Sequence, residues 1–515
     1  MEGDKAEEMN RTKRGFYNLI CSAFGQIVII VLGFLLPRLF IVNYGSEING
    51  MLNSLNQIFV YLALFEAGVG AVTLQALYMP VALDDKNKIN GILSATNIYY
   101  KKTGAAYFAA LLVLATIYPL MVEINMSYVK AWITILFYGL GNVIVFFFQG
   151  KYKILLQAEG NSYIVTNLTT LITILNNLVK IVLIMLGFDV YMVIIGSFLI
   201  NLIQMIYIVV YIHKKYSWID LSVKPNYEAV SQKNSMLVHQ ISGVIFQNTD
   251  VLLLTFMGNL KVVSVYSMYK LVVTHISSFL NIIFNSISFA LGQIFNTDKK
   301  RFNKIIDAIE LYNSTFSFAV YTVVLLVFIP FMRLYTRNVV DVNYIDNFLP
   351  WLFILIELLT VMRTPMLNTI NYAGHFKETL PQTIIETVIN IGVSILLMKK
   401  YGMYGVLIGT IVALLYRTND IIIYTNKKIL KRNAIKTYLI YATNFALLVL
   451  SNIIGDKYTY LINSYMSLFA FASISLLISI LAFVCVQSTL FKNESKYACE
   501  IILNYIKQKV LKRRR

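Results

Sequence analysis

Apolar positions in this chain come in long unbroken runs, and polar positions come in short bursts between them. From Phe16 to Gln487 there are about fourteen such runs, most of about 18–28 residues. A bilayer core of about 30 Å takes roughly 20 helical residues to cross. Backbone groups left unpaired in hydrocarbon are too costly, so only helices and closed barrels span. The runs are continuous and lack the ten-residue alternation of barrel strands, so the pattern predicts helices. The expected spans are 16–41, 50–78, 104–122, 128–149, 162–186, 189–211, 236–256, 262–293, 311–330, 350–370, 381–398, 404–425, 437–454 and 461–487. The first run is too long for a signal h-region and has no small-residue cleavage site after it, so it is expected to be a retained span.

Charge adds orientation to this picture. Of 44 Lys and Arg, 32 fall on the side holding the termini and the even-numbered loops, and 7 fall on the other side. The positive-inside rule then predicts that both termini are cytoplasmic. Composition agrees: mean hydropathy is +0.67, with 58% hydrophobic and 14% charged residues, against roughly 25% charged in soluble domains. The net charge of +18 sits in short loops with no room for a nucleic-acid-binding module, so nucleic acid is not an expected partner. Cys21, Cys485 and Cys499 form no ligand spacing, and His213, His239, His275 and His375 are scattered, so neither a metal nor another cofactor is expected. The outer loops are short, the longest being 331–349, and they carry only Asp341 and Asp346 as a carboxylate cluster. An enzyme placing an acid or base at a substrate is therefore not expected.

The chain also repeats itself. Tyr191–Gly196 and the closing Tyr211–Lys215 recur as Tyr404–Gly409 and Tyr424–Lys428, and Gly160, Thr173 and Asn176 recur as Gly374, Thr387 and Asn390. Both halves begin on the same side, so the repeat is parallel, an organisation found in transporters that alternate access around a central site. The expected architecture is all-α and polytopic: a short cytoplasmic N-terminus (1–15), an N-lobe of six spans (16–211), a cytoplasmic linker (212–235), a C-lobe of six spans (236–425), two extra spans (437–487) and a basic tail (488–515).

Ionisable residues inside spans are costly and are functional candidates by default. Arg38 follows Pro37, which is expected to kink the first helix; its alternative is to snorkel to the outer interface. Glu66 stands among small residues and suits either a coupling cation or a structural hydrogen bond. Asp250 and Lys270 are expected at similar depth on neighbouring helices, where a plain ion pair is the competing reading. Lys180, His275 and Arg363 are further candidates. Arg417 and Asp420 are spaced i,i+3, so a local helix pair is favoured for them. Several fixed cations suit an anionic ligand, since Arg binds phosphate oxygens in a bidentate manner.

Short motifs then point to a family. Pro37-Arg38, Tyr44–Gly50, Glu66–Gly70, Leu156–Tyr163, Gln247–Asp250, Val263–Tyr269, Ala373–Lys377 and Gly405–Thr410 resemble bacterial polysaccharide-biosynthesis membrane proteins of the O-antigen and capsule flippase type. These lie within the multidrug/oligosaccharidyl-lipid/polysaccharide exporter superfamily, and the resemblance covers about residues 12–435. It implies two six-helix lobes in an inverted V around a cationic cavity, a place in the bacterial inner membrane, and a polyprenyl-pyrophosphate-linked oligosaccharide moved from the inner to the outer leaflet. On that reading Arg38, Lys270 and Arg363, with Lys180, His275 and Arg417, serve the pyrophosphate and sugars. Glu66, Asp250 or Asp420 takes a coupling H+ or Na+. Membrane lipid, a polysaccharide polymerase and glycosyltransferases are the other implied partners. A proton- or sodium-coupled small-molecule exporter of the same architecture is the competing function.

Overall fold

Most of the expected spans fall on helices in the computed structural model, which describes residues 2–66, 69–228, 234–498 and 500, with the side chains of 2–30, 65, 71, 162, 234–242, 282–290 and 376 left aside. Cys21, Cys499, His239 and most of the basic tail therefore lie outside what is described. Among the described residues there is no strand. The helices are α1 (Glu2–Leu62), α2 (Val69–Ala82), α3 (Lys86–Met121), α4 (Tyr128–Ile144), α5 (Gly150–Ala158), α6 (Ser162–Met185), α7 (Val190–Lys215), α8 (Asn234–Met257), α9 (Leu260–Thr297), α10 (Lys299–Tyr335), α11 (Leu349–Ala373), α12 (Phe376–Tyr401), α13 (Met403–Tyr424), α14 (Ile435–Asp456) and α15 (Tyr465–Leu490). Among the described residues, 11 helical segments are long and apolar enough to cross a membrane, with shorter apolar helices at Val72–Ala82 and Gly243–Met257. The chain is an all-α, polytopic membrane protein.

Helix ends follow local chemistry. Asp85 and Asp298 accept the backbone N–H groups of Lys88 and Arg301, each at 3.0 Å, and start α3 and α10. Ser464 and Ser467 form a reciprocal capping box at the start of α15. Such caps satisfy amides that have no partner within the helix. His213, Lys214 and Lys215 close α7, and Lys399 and Lys400 close α12, where cations meet the negative end of the helix dipole.

Three local expectations change. The break in the first helix is not at Pro37, which α1 runs through, but at Gly45, whose φ of 84° a residue with a side chain rarely adopts. Glu66 does not sit in a continuous second span; it ends a 3₁₀ turn (Ala63–Glu66) between α1 and α2. The loop expected after residue 149 is helical to Ala158, because the run passes through a π-helical turn (Val145–Gln149) straight into α5. Gly150 has helical dihedrals there, and Leu155 and Leu156 are buried.

The fold divides into two units, Met1–Ser264 and Val265–Arg515. In the first, α6 and α7 form a hairpin packed on α4, and α8 packs on α1. The segment after α7 is docked: Trp218 and Leu221 carbonyls accept from Asn90 and Ser94 of α3 at 3.2 and 2.9 Å. Gly50 permits the approach of α1 to the start of α9, since a Cβ there would stand 1.8 Å from the Leu260 carbonyl oxygen. Asn49 donates to Ser264 at 2.7 Å and Thr255 to Ser54 at 2.9 Å along the same seam. In the second unit, α12 and α13 form the matching hairpin, packed on α11, while α14 and α15 pack on α10.

The two hairpins carry the sequence repeat into geometry. Gly160 and Gly374 precede them with φ of 74° and 72°. Asn176 joins Ser197 at 2.6 Å in the first, and Asn390 joins Thr410 at 2.9 Å in the second.

Candidate functional site

In the first unit, Glu66 accepts a hydrogen bond from Tyr100 at 2.5 Å. The small residue at Gly70 leaves room for that carboxylate, since a Cβ there would stand 3.0 Å from its Oε1. Asp250 is buried on α8, and its charge acts on Tyr61 of α1, which is bonded to Thr249 at 2.8 Å. Arg38 lies half-buried on α1. Lys151 was counted in sequence as a loop cation. It is instead buried on α5, donates to Asn97 at 2.8 Å, and lies over the Tyr152 ring at 4.8 Å.

Lys180 lines a cavity of about 240 Å³ bounded by α4, the π turn, α6 and α7, together with Asn142, Gln149, Asn176, Asn201 and Gln204.

In the second unit, α9, α10 and α11 bring together Lys270, Ser277, Tyr321 and Glu357. Glu357 accepts from Ser277 and, at 3.5 Å, from Tyr321, and the Lys270 ammonium acts on it electrostatically. Lys270 also lies 5.7 Å from the centre of the Tyr266 ring. His275 is half-buried on the same helix.

A second cluster joins α11, α12 and α13. Arg363 bonds Glu386 at 2.6 Å, and Arg417 approaches the other Glu386 oxygen at 3.7 Å while pairing with Asp420. Arg417 also reaches Thr383 at 3.2 Å. The i,i+3 spacing foretold the Arg417–Asp420 pair; nothing in the spacing foretold Glu386 as the link between two arginines. Two cations and two carboxylates close on one another here, so Arg363 and Arg417 have part of their charge compensated within the unit.

A third cluster was not legible at all. Arg432 pairs with Asp307 and, at 3.2 Å, with Glu310; Lys436 pairs with Asp307 at 2.9 Å and with Glu494. Arg432 and Lys436 read in sequence as ordinary loop cations. Burial pushes the Glu494 carboxyl up, but its hydrogen bond from Lys436 and the charges of Lys436 and Arg432 outweigh that and hold it below the ordinary carboxylate value. Among the described residues, no group of three or more His, Cys, Asp or Glu is placed to hold a metal ion.

No family model matches the chain, and no curated protein matches it. Solved structures do. The chain has the fold of membrane transporters of the MOP superfamily. It is similar to the lipid II flippase MurJ in an inward closed conformation, with a TM-score of 0.62 at 15% identity, covering 93% of this chain and 99% of that one. It is also similar to an inward-facing multidrug resistance MATE family transporter of that superfamily, with a TM-score of 0.56 at 16% identity, covering 79% of this chain and 98% of that one. At these identities the likeness establishes the fold.

Proposed function

We propose that this chain is a flippase that carries a polyprenyl-pyrophosphate-linked oligosaccharide from the inner to the outer leaflet of a bacterial cytoplasmic membrane by alternating access. The observation that carries this reading is the extent of the likeness. The flippase fold accounts for 93% of the chain, whereas the multidrug transporter fold accounts for 79%. The physical task is to move a charged, sugar-bearing headgroup through about 30 Å of hydrocarbon while the prenyl tail stays in lipid. Intramembrane cations suit a pyrophosphate, and Arg38 and Lys270 are the residues assigned to it. His275, half-buried on the helix that carries Lys270, is assigned to the sugar. Arg363 and Arg417 position α11–α13 through Glu386 and Asp420 rather than meeting the headgroup first. Glu66 and Asp250 are the assigned sites of a coupling cation. Both termini face the cytoplasm, in keeping with the lysine and arginine bias.

The test uses purified protein in liposomes carrying a fluorescent polyprenyl-pyrophosphate oligosaccharide in both leaflets, read with a membrane-impermeant quencher. Wild type is expected to exchange the lipid between leaflets, and the Arg38→Ala, Lys270→Ala double variant to lose exchange while inserting normally. Full exchange by the double variant removes the proposed residues. No exchange by wild type, with or without a proton or sodium gradient, removes the flippase reading. In that case a cation-coupled small-molecule exporter takes its place, a function to which the Glu66–Tyr100 pair is suited as a carboxylate that can trade its hydrogen bond for a cation.

A further inference from the structure

The two hairpins of the repeat share an asparagine–hydroxyl clasp, yet one turn beyond it they part company. Position 394 follows Asn390 as 180 follows Asn176. In the second unit that position is Ser394, fully buried, donating to the Val406 carbonyl at 3.2 Å and packed so tightly that a Cβ on Gly409 would stand 2.2 Å from its hydroxyl. In the first unit the position is Lys180; Gly196, the counterpart of Gly409, is packed instead against Leu183, where a Cβ would stand 2.6 Å from Cδ1, and Lys180 lines the cavity of about 240 Å³. The same position thus holds a buried hydroxyl in one unit and a cavity-lining cation in the other.

That cation is the one charged residue lining the cavity; its other lining residues are amides, Ser197 and apolar or aromatic residues. Among the described residues no ion pair or hydrogen bond engages its ammonium. A charge held at membrane depth without a counter-charge is costly, and the lining supplies donors around it. Ser197 donates to the Asn176 carbonyl at 2.6 Å, and Asn176 donates to the Asn201 carbonyl at 2.9 Å. The chain of bonds consumes carbonyls and ends on the Asn201 NH₂, which stands beside Gly141, where a Cβ would come within 3.2 Å of it. Gln149, only 1% exposed, brings an amide whose oxygen has no partner among the described residues. A turn about its last torsion exchanges that oxygen for its NH₂ with no change of shape, so the residue can offer a donor to the cavity that it lines. Gln149 sits at the end of the π-helical turn, a distortion frequent at functional sites.

We propose that this cavity is a binding site for a small monovalent anion, a halide or a carboxylate of similar size, held by the Lys180 ammonium with donors from Asn201 and Gln149. The ligand neutralises Lys180 and holds α4, α6 and α7 together. The site lies wholly within the first unit, and on this proposal Lys180 serves it rather than the pyrophosphate.

The test uses the purified full-length chain. Thermal unfolding is followed while sodium gluconate is replaced by chloride, bromide or acetate at constant ionic strength. Wild type is expected to show a saturable rise in midpoint with the small anions. In Lys180→Gln the apparent affinity is expected to fall at least about tenfold, as the loss of a charge-assisted contact requires, and Lys180→Arg is expected to retain the response. An equal response in Lys180→Gln, or no saturable response in wild type, overturns the proposal. Should the variants fail to fold, bromide anomalous scattering from the wild-type protein decides: density in the cavity beside Lys180 supports the site, and its absence there overturns it.

Discussion

Replacing Glu386 tests whether the α11–α13 cluster holds the second unit together. The side chains of Glu386 and Arg417 are only 8% and 4% exposed, and that of Arg363 is 16% exposed. These values put the cluster among buried ion pairs rather than surface pairs, where the contribution is typically about 1 kcal/mol or less. Glu386→Ala removes the 2.6 Å bond to Arg363 and the 3.7 Å approach to Arg417 in one step. Arg417 keeps Asp420 and Thr383, so the loss falls mainly on Arg363. Breaking a buried pair from one side costs about 3–5 kcal/mol, because the remaining charge stays desolvated. The Arg363→Ala, Glu386→Ala double variant takes that charge away as well. Its loss is therefore expected to be smaller than the sum of the two single losses by about 1–3 kcal/mol. Reversible unfolding in mixed micelles, followed through the double-mutant cycle, gives each value. A single-variant cost below about 1 kcal/mol with additive effects would mean that the arginines are held by something other than Glu386, and the argument from burial would fail.

Two further outcomes are expected. Gly50→Ala forces a methyl group onto the Leu260 carbonyl, and overpacking of this kind costs about 1–3 kcal/mol. Gly392→Ala, with nothing within 4 Å of the added atom, is the control; equal midpoints of the two variants in thermal unfolding would show that the α1–α9 seam is not close-packed. The Glu494 carboxyl is held below its ordinary value of 4.5 by Lys436 and Arg432, so its stabilising effect is fully present above pH 4.5 and is lost as pH falls through the depressed value. Glu494→Gln should flatten the acid limb of a midpoint-versus-pH curve below pH 4.5, and an unchanged curve would remove Glu494 from the cluster's energetics.

Hydropathy located most of the helices, because a span in hydrocarbon must satisfy its backbone within itself and needs no knowledge of its neighbours. The repeat was legible for the same reason: Gly160 and Gly374, Asn176 and Asn390 mark turns and clasps local to one hairpin. Local spacing likewise sufficed for Arg417 and Asp420. Helix breaks were less readable. Pro37 looked like the kink, but a helix loses one hydrogen bond at proline and can continue, whereas Gly45 reverses the sign of φ, and no residue type announces where that happens.

What the sequence could not carry was partnership across helices. Arg363 meets Glu386 over 23 positions, and Arg432 meets Glu310 over 122. Which rotation and height two packed helices adopt is decided by ridges, small residues and close contacts summed along their whole length. A charge in one span therefore carries no mark of its partner in another. The same is true of the contrast between Lys180 and Ser394. Composition shows a lysine in one repeat and a serine in the other, but only the packing of α4, the π turn, α6 and α7 turns that difference into a cavity with a cation on its wall.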